Sequence, residues 1–382
     1  MSSISALYLN PAETVAVSIL LFSFAIQLFY WLGIYIRIVF RASDCKDNAD
    51  GGDPPVSVVI CAKDEASNLK KHLPEILEQD YHCYEVIVVN DSSEDETENI
   101  LSEFKKRFPR LSSTRIKKDP KFTHGKKLAL TLGLKAAKNE WVLLTDADCR
   151  PSGNKWIKEM AKHFTCEKSL VLGYGKYETT KGLFNRFIRM DTMFIGLQYL
   201  TFAMAGFPYM GVGRNLAYRR SLFFNNKGFA THLKIKSGDD DLFVNEVATA
   251  GNTALEFNPA AHTVSVPSGT FGEWIAQKKR HLTTGLHYRK KTKILLGGEM
   301  VSRILFYLSV IFLLIKPTLA LPALSVFFFR LLIKLLIFKF ATIRLNEKKL
   351  LLISPLYDIF IPFINLALST ANYICSKRNK WK

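Results

Sequence analysis

The chain has 382 residues, a formal net charge of +18 and a mean hydropathy of +0.07, slightly apolar although 23% of its residues are charged. Abundant aromatic and branched side chains exclude a disordered protein, and the lack of an internal period excludes a repeat protein. We expect a charged, soluble middle between membrane-like ends, and a basic surface that meets nucleic acid, anionic lipid or a polyanionic substrate.

The first predicted element is a membrane anchor within residues 1–41. Thr14–Ile36 is a run of 23 residues without a charge, and about 20 residues cross the hydrocarbon core as a helix. The run is too long for a signal peptide and follows no basic segment, so we predict an uncleaved anchor, with a hairpin of core helices as the alternative. Arg37 and Arg41 follow it, which predicts that the chain continues in the cytoplasm. Residues 42–54 are polar, contain glycine and proline, and are predicted to be a linker.

Residues 55–300 are predicted to form a cytoplasmic α/β domain. Short apolar runs rich in β-branched residues, typical of buried parallel strands, occupy 56–62, 84–90 and 141–147. Helical patterns lie between or beside them at 66–79, 94–108 and 126–137. Strands that alternate with helices predict a mixed, mostly parallel sheet flanked by helices.

Two further apolar regions follow. Residues 192–213 carry no charge, but a crossing there would separate the acidic motifs on either side into different compartments, so we predict an interfacial segment. Residues 301–382 are predicted to be a membrane region of two to three hydrophobic helices with a basic tail. Ile304–Phe340 is long enough for two passes, and Leu350–Ile374 adds a third stretch that either crosses or lies in the interface.

Acidic residues follow the predicted strands, at the sheet edge where open α/β sheets bind ligands. Asp91 suits a hydrogen bond to a ribose or base, or else an N-cap. Asp146 and Asp148 suit Mg²⁺ or Mn²⁺ shared with a diphosphate, since buried carboxylates need a partner, or else form a plain turn. Asp239–Asp241 are adjacent carboxylates that repel, which raises a pKa and suits a general base, or else form a solvated loop or a cation site.

Basic and amide side chains complement these acids. His124–Lys127 opens a predicted helix, whose N-terminus suits a phosphate. Gln277, Arg280 and His281 form a polar group among aromatics, and an arginine there could hold a leaving diphosphate. The alternative is a juxtamembrane helix that meets lipid phosphates.

The order and spacing of these motifs resemble family 2 glycosyltransferases with the GT-A fold, including cellulose-synthase-like membrane members, over about residues 55–290. The motifs that carry the likeness are VSVVICAKDE, VVNDSSEDET, GKKLAL, LLTDADCRP, GVGRNLAYRR, GDDDLF and QKKRH. The resemblance implies a GT-A sheet domain between N-terminal and C-terminal transmembrane helices.

The resemblance also implies a role for each matching residue. A nucleotide-diphosphate sugar, with UDP-sugars favoured, would contact Ala62, Glu65, Asp91, Lys126, Asp146, Gln277 and Arg280. Asp148, with Asp146, would bind Mg²⁺ or Mn²⁺, and Asp239 would be the catalytic base. The acceptor side would include Gly213, Arg214, Asn215 and Asp241.

Two positions depart from the family pattern. Gly238 stands in the place of a glutamate, so a shifted alignment makes Asp240 the base. His281 stands in the place of the tryptophan that helps polymerising members to bind the acceptor, which argues against processive synthesis.

The implied function is inverting, metal-dependent sugar transfer to a membrane-associated acceptor, either lipid-linked or a glycan. The alternatives are a processive polysaccharide synthase and a non-catalytic membrane protein that binds nucleotide sugars. We expect an integral protein of the cell inner membrane with a cytoplasmic catalytic domain. Membrane lipids and the donor explain the positive charge, and no nucleic-acid partner is expected.

Overall fold

A computed structural model describes residues 9–41, 53–118, 125–235 and 237–378. Most of the predicted linker, His124 and the end of the basic tail lie outside the described residues. Helix α1 (Pro11–Leu28) begins with a capping box, in which Asn10 and Glu13 each accept a hydrogen bond from the other's backbone N–H. It continues through a π-helical segment, Phe29–Tyr35, into α2 (Arg37–Phe40). The predicted N-terminal anchor is therefore one nearly continuous helical rod.

The middle of the chain forms the sheet domain. In chain order its elements are β1 (Val56–Ala62), α3 (Ala66–Leu77), β2 (Tyr84–Asp91), α4 (Thr97–Arg107), β3 (Leu111–Ile116), α5 (Lys126–Ala136), β4 (Trp141–Asp146), β5 (Cys149–Pro151), α6 (Trp156–Ala161), β6 (Leu170–Gly173), β7 (Gly175–Tyr177), α7 (Leu183–Met204), β8 (Leu216–Arg219), α8 (Arg220–Asn225), α9 (Asp241–Val247), β9 (Thr253–Glu256), β10 (Thr263–Ser265) and α10 (Phe271–Gly285).

The main sheet has seven strands in the order β3-β2-β1-β4-β8-β6-β9. β1 runs parallel to both β2 and β4, and β8 is antiparallel to β4 and β6. Ala62 lies opposite Asn90, and Cys61 lies opposite Asp146, so β1, β2 and β4 end at the same edge. The mostly parallel α/β sheet is confirmed, and its register brings Asp91 and Asp146 to that edge.

Both faces of the main sheet are covered by helices, which explains the uniformly apolar strands. One face packs against α3, α4 and α6 through residues such as Leu73 and Trp156. The other packs against α5, α7 and α9. A Cβ on Gly133 of α5 would lie 2.5 Å from Cγ1 of Val59, so helix and strand approach more closely than an alanine would allow. A second sheet of three strands has the order β5-β10-β7.

Helix α7 differs from the interfacial segment predicted for residues 192–213. Leu197, Leu200 and Phe202 are 1% exposed or less, and the helix is part of the domain core. It packs against the π-helical segment, where the ring of Tyr35 lies 5.9 Å from that of Phe194. The lack of charge in this stretch therefore reflects burial between the sheet and the N-terminal rod.

Three long helices end the chain: α11 (Lys290–Leu314), α12 (Pro317–Arg344) and α13 (Ser354–Arg378). The predicted domain boundary at residue 300 falls inside α11. Within the described residues, four helical stretches are long and apolar enough to cross a membrane, namely Pro11–Phe40, Lys290–Leu314, Pro317–Arg344 and Leu351–Ile374. The protein thus carries candidate membrane helices on both sides of its sheet domain.

A buried polar network joins these four helices. Arg330 of α12 donates to Oδ2 of Asp358 on α13 at 2.8 Å and to Oε1 of Gln27 on α1 at 2.6 Å. Nε2 of Gln27 in turn donates to Oγ of Ser302 on α11 at 2.9 Å. Arg330 and Asp358 are both 1% exposed. Because a buried charge is costly without a partner, this network favours one arrangement of the helices.

Candidate active site

Lys126 connects two of the acidic motifs. It is the first residue of α5, and its Nζ lies 2.8 Å from Oδ1 of Asp146 and 3.1 Å from Oδ2 of Asp239. Burial alone would lower the pKa of the lysine, but Asp146, Asp239 and Asp240 raise it well above its usual value. Residues distant in the sequence therefore form one charged cluster at the edge of the sheet.

Asp146, Asp148 and Cys149 form a group whose ligand atoms all lie within 4.8 Å of one another. Burial, and then the charge of Asp146, raise the pKa of Asp148. Burial and the two aspartates also raise the pKa of Cys149 well above its usual value, so it remains a thiol, and it donates to Oδ1 of Asp148 at 3.3 Å. A hard divalent cation would relieve the carboxylate repulsion, so this donor set fits Mg²⁺ or Mn²⁺ better than a thiolate-binding metal.

The three consecutive aspartates have different partners. Asp239 pairs with Lys126. Asp240 accepts a hydrogen bond from the backbone N–H of Gly213 and another from that of Asp241, each at 2.7 Å. The carboxylate of Asp241 accepts hydrogen bonds from the hydroxyl groups of Tyr288, at 2.7 Å, and Thr284.

These partners give the three carboxyl groups different acidities. Burial would raise the pKa of Asp239, but Lys126 outweighs it and the pKa is lowered. Burial, with the charges of Asp239 and Asp241, raises the pKa of Asp240 to about 7. Burial also raises the pKa of Asp241, although Thr284 and Tyr288 oppose the shift. Of the three, Asp240 has a pKa near neutrality, which suits proton transfer.

The residues predicted to contact a nucleoside lie along the same edge. Asp91 ends β2 and is 5% exposed, and Ala62 ends β1 and is 2% exposed. Glu65 accepts a hydrogen bond from Nδ2 of Asn68 at 2.6 Å, and burial raises its pKa. The loop after β1 is held to the loop after β2, since Oγ of Ser93 accepts from the N–H of Asp64 at 2.9 Å. The two loops therefore lie together at this edge of the sheet.

Helix α10 contributes the predicted glutamine and arginine. Nε2 of Gln277 donates to the hydroxyl of Tyr177 at 3.1 Å. The guanidinium of Arg214 lies over the same tyrosine ring, 4.7 Å from its centroid, and donates to Oγ of Ser265 at 3.1 Å. Arg280 is exposed, and its guanidinium makes no hydrogen bond or ion pair to any described residue. Gln277 and Arg214 thus both contact Tyr177, a residue that the sequence motifs did not identify.

Asn215, expected on the acceptor side, is fully buried. Its Oδ1 accepts from Nε1 of Trp156 at 3.0 Å, and its Nδ2 donates to the carbonyls of Tyr174 and Ala261 at 2.9 and 2.8 Å. These contacts join the turn before β8 to α6, to the residue between β6 and β7, and to the turn before β10. The geometry favours a structural role for Asn215 over the predicted acceptor contact.

Sequence reasoning missed a buried carboxylate behind the site. Asp191 on α7 is 4% exposed and accepts from Nζ of Lys278 at 2.5 Å, from Nε1 of Trp274 at 3.3 Å and from the hydroxyl of Tyr357 at 2.7 Å. It thereby connects α10, which carries Gln277, to α13. The sequence signal that could have revealed Asp191 is a single acidic residue within a long, mostly apolar helix.

Comparisons with known proteins find that this chain is similar to glycosyltransferases. The family model "Glycosyl transferase family 2" matches residues 57–224. The probable glycosyltransferase YdaM of Bacillus subtilis is 30% identical over 247 residues, which cover 59% of this chain and 54% of YdaM. The beta-monoglucosyldiacylglycerol synthase of Trichormus variabilis is 30% identical over 31% of this chain and 26% of that protein. This chain thus spans about half or less of the length of these relatives.

A solved structure shares the fold over nearly the whole chain. The mannosyltransferase PcManGT from Pyrobaculum calidifontis, in complex with GDP-Man and Mn²⁺, is 20% identical and superimposes with a TM-score of 0.63, covering 94% of this chain and 98% of that one. The sheet order and this superposition show a GT-A fold. Residues 57–224 thus match a family 2 glycosyltransferase domain, and the chain is similar to named glycosyltransferases.

Proposed function

We propose that the protein transfers a sugar from a nucleoside-diphosphate sugar to a membrane-associated lipid acceptor, with inversion at the anomeric carbon. The observation that carries the proposal is the convergence of a carboxylate pair, a lysine and a titratable aspartate at one sheet edge. Lys126 contacts both acidic motifs there, at 2.8 and 3.1 Å. The mannosyltransferase of the same fold binds GDP-Man and Mn²⁺, which supports a nucleotide-sugar donor and a divalent cation.

Asp146 and Asp148 would hold Mg²⁺ or Mn²⁺, whose charge would offset that of the donor diphosphate. Lys126 lies beside Asp146 and would contact the same diphosphate. Asp91 and Glu65 line the nucleoside side of the cleft. Arg280 is exposed and its guanidinium has no partner among the described residues, which suits a contact with the departing nucleoside diphosphate.

We favour Asp240 over Asp239 as the catalytic base. Asp239 is paired with Lys126 and has a lowered pKa, so it is a weak proton acceptor. Asp240 has a pKa of about 7, and the two backbone N–H groups that it accepts from hold its carboxylate in place. The proton of the acceptor hydroxyl passes to Asp240 as the hydroxyl oxygen bonds to the anomeric carbon. The bond from that carbon to the diphosphate oxygen breaks, and one displacement gives inversion.

A membrane lipid is the acceptor class that the surroundings of the site support. Four helical stretches among the described residues are long and apolar enough to cross a membrane. Leu183 and Phe271, at the starts of α7 and α10, are 72% and 56% exposed, so both helices begin with an exposed apolar side chain. The Trichormus variabilis relative is named for making a glucosyldiacylglycerol. Arg37 and Arg41 at the end of the N-terminal rod support a cytoplasmic sheet domain.

The test is nucleoside-diphosphate release from UDP-, GDP- and dTDP-sugars in the presence of Mn²⁺ and membrane lipids. We expect release with one donor class, a loss of roughly 10²–10⁴-fold in Asp240→Asn, and a comparable loss in Asp148→Ala. Asp80→Asn, on the exposed surface, is the matched control. Full activity of Asp240→Asn beside an inactive Asp239→Asn would assign the base to Asp239. No release by the wild-type protein with any donor would contradict the function.

A further inference from the structure

A cavity lies where the sheet domain meets the connection between α12 and α13. Its volume is about 310 Å³, and it is lined by Arg186, Thr342, Lys349, Leu350, Leu351 and Leu352. Arg186 belongs to the first turns of α7 and Thr342 to the last turns of α12, so the cavity brings together the sheet domain, α12 and the connection to α13.

The cavity carries uncompensated positive charge. Arg186 and Lys349 are exposed, and neither side chain makes a hydrogen bond or ion pair to another described residue. The nearby acid, Glu347, is not available to them. It is 5% exposed, pairs with Nη2 of Arg189 at 2.5 Å and accepts from the hydroxyl of Tyr174 at 3.1 Å. Two cations therefore face one cavity, and the neighbouring carboxylate is occupied elsewhere.

The cavity lies at the ends of two candidate membrane helices, which indicates its depth relative to a bilayer. The candidate spans Pro317–Arg344 and Leu351–Ile374 both end at this connection. Leu352 is 92% exposed, which is unfavourable in water and favourable against lipid chains. The cavity thus combines two cations with an exposed leucine at the ends of two candidate membrane spans, the level at which bilayer phosphate groups would lie if these helices cross.

The backbone that carries Lys349 is held in an unusual conformation. Lys349 has a φ of 63°, in the left-handed region that glycine adopts without strain. The connection is fixed beside it, since Nη2 of Arg189 donates to the carbonyl of Lys348 at 3.3 Å as well as to Glu347.

We propose that this cavity binds the phosphate headgroup of an anionic membrane lipid, with Arg186 and Lys349 on the phosphate and the acyl chains against Leu351 and Leu352. The charge of the two unpaired cations matches an anionic headgroup, and the leucines match its chains. The site extends the proposed function and does not depend on catalysis, because it is built from residues outside the acidic cluster.

The experiment titrates the full-length protein in detergent with phosphatidylglycerol or phosphatidylcholine and measures bound lipid by native mass spectrometry. We expect a preference for phosphatidylglycerol, and binding weakened by roughly 30-fold in the double variant Arg186→Gln/Lys349→Gln, since each cation near a lipid surface contributes about 1 kcal/mol. Lys348→Gln is the matched control, an exposed lysine on the same connection that does not line the cavity, and it should bind as the wild type does.

A second variant separates binding from folding. Lys349→Gly removes the cation and relieves the left-handed backbone, so its thermal midpoint should equal or exceed that of the wild type while its preference for phosphatidylglycerol falls. Unchanged phosphatidylglycerol binding in the double variant, or an equal loss in Lys348→Gln, would overturn the proposal. Displacement of the lipid by inorganic phosphate at equal concentration would assign the cavity to free phosphate and overturn the lipid source.

Discussion

Asp240→Asn should change the stability of the protein in a way that reverses sign with pH. In the wild type, burial and the charges of Asp239 and Asp241 raise the pKa of Asp240 to about 7. An unfolded aspartate has a pKa of about 4, so the folded state holds more protons between pH ~4 and pH ~7. The free energy of unfolding therefore falls as the pH rises through this window, and the full cost of the ionised group is present above pH ~7.

The size of the effect follows from the same contacts. Raising the pKa of Asp240 from about 4 to about 7 lowers the free energy of unfolding at high pH by roughly 4 kcal/mol, at 1.36 kcal/mol per pKa unit. Asparagine cannot ionise and avoids this cost. However, it has one oxygen for the two N–H donors of Gly213 and Asp241, and one orphaned donor costs about 1–3 kcal/mol. The variant should be about 1–3 kcal/mol less stable than the wild type near pH 4 and about 1–3 kcal/mol more stable near pH 8.

Denaturation of the purified protein in detergent, followed by tryptophan fluorescence between these two pH values, measures the difference. Asp80→Asn should give a difference close to zero at every pH, because its side chain is exposed. A constant difference between Asp240→Asn and the wild type across the range would refute the raised pKa. Asp240 would then have no raised pKa to favour it as the base.

Three further changes test other contacts. Lys126→Met should weaken the binding of UDP or GDP with Mn²⁺ by roughly tenfold or more, measured by calorimetry, because the cation beside Asp146 is lost. Asp191→Ala should lower the free energy of unfolding by about 3–5 kcal/mol, because it leaves a buried lysine unpaired, whereas Tyr357→Phe should cost about 1 kcal/mol; equal losses would contradict this account. Gly238→Ala should lower the thermal midpoint, because the glycine has a φ of +95° and a Cβ would lie 2.4 Å from Cδ1 of Leu242; an unchanged midpoint would show that this turn relaxes freely.

Three of the buried strands were predicted, and the other strands of the main sheet were not. β1, β2 and β4 lie within one residue of the predicted ranges, because strands covered on both faces are uniformly apolar. β3 was missed, since it lies at the edge of the sheet and its sequence, LSSTRI, is mostly polar. α7 looked interfacial because a segment buried between two parts of the same protein has the same composition as one that contacts lipid.

The sequence predicted that the acidic motifs lie at one edge of the sheet, but it did not predict which groups contact each carboxylate. Strand ends predicted that Asp91 and Asp146 meet at one edge, and the register confirms this. No sequence pattern separates Asp239 from Asp240, because the pKa of Asp239 is lowered by its pairing with Lys126, whereas burial and the neighbouring aspartates raise that of Asp240. Such contacts depend on packing between elements far apart in the chain.

The central claim is sugar transfer to a membrane lipid, and transfer of a radiolabelled sugar measures it most directly. The full-length protein in membranes would be given labelled UDP- and GDP-sugars with Mn²⁺, and the products would be separated by extraction into organic solvent. We predict a labelled product in the lipid extract with the wild type and its loss by at least roughly 10²-fold with Asp240→Asn. Label found only in water-soluble free sugar, or in an insoluble polymer, would contradict the claim.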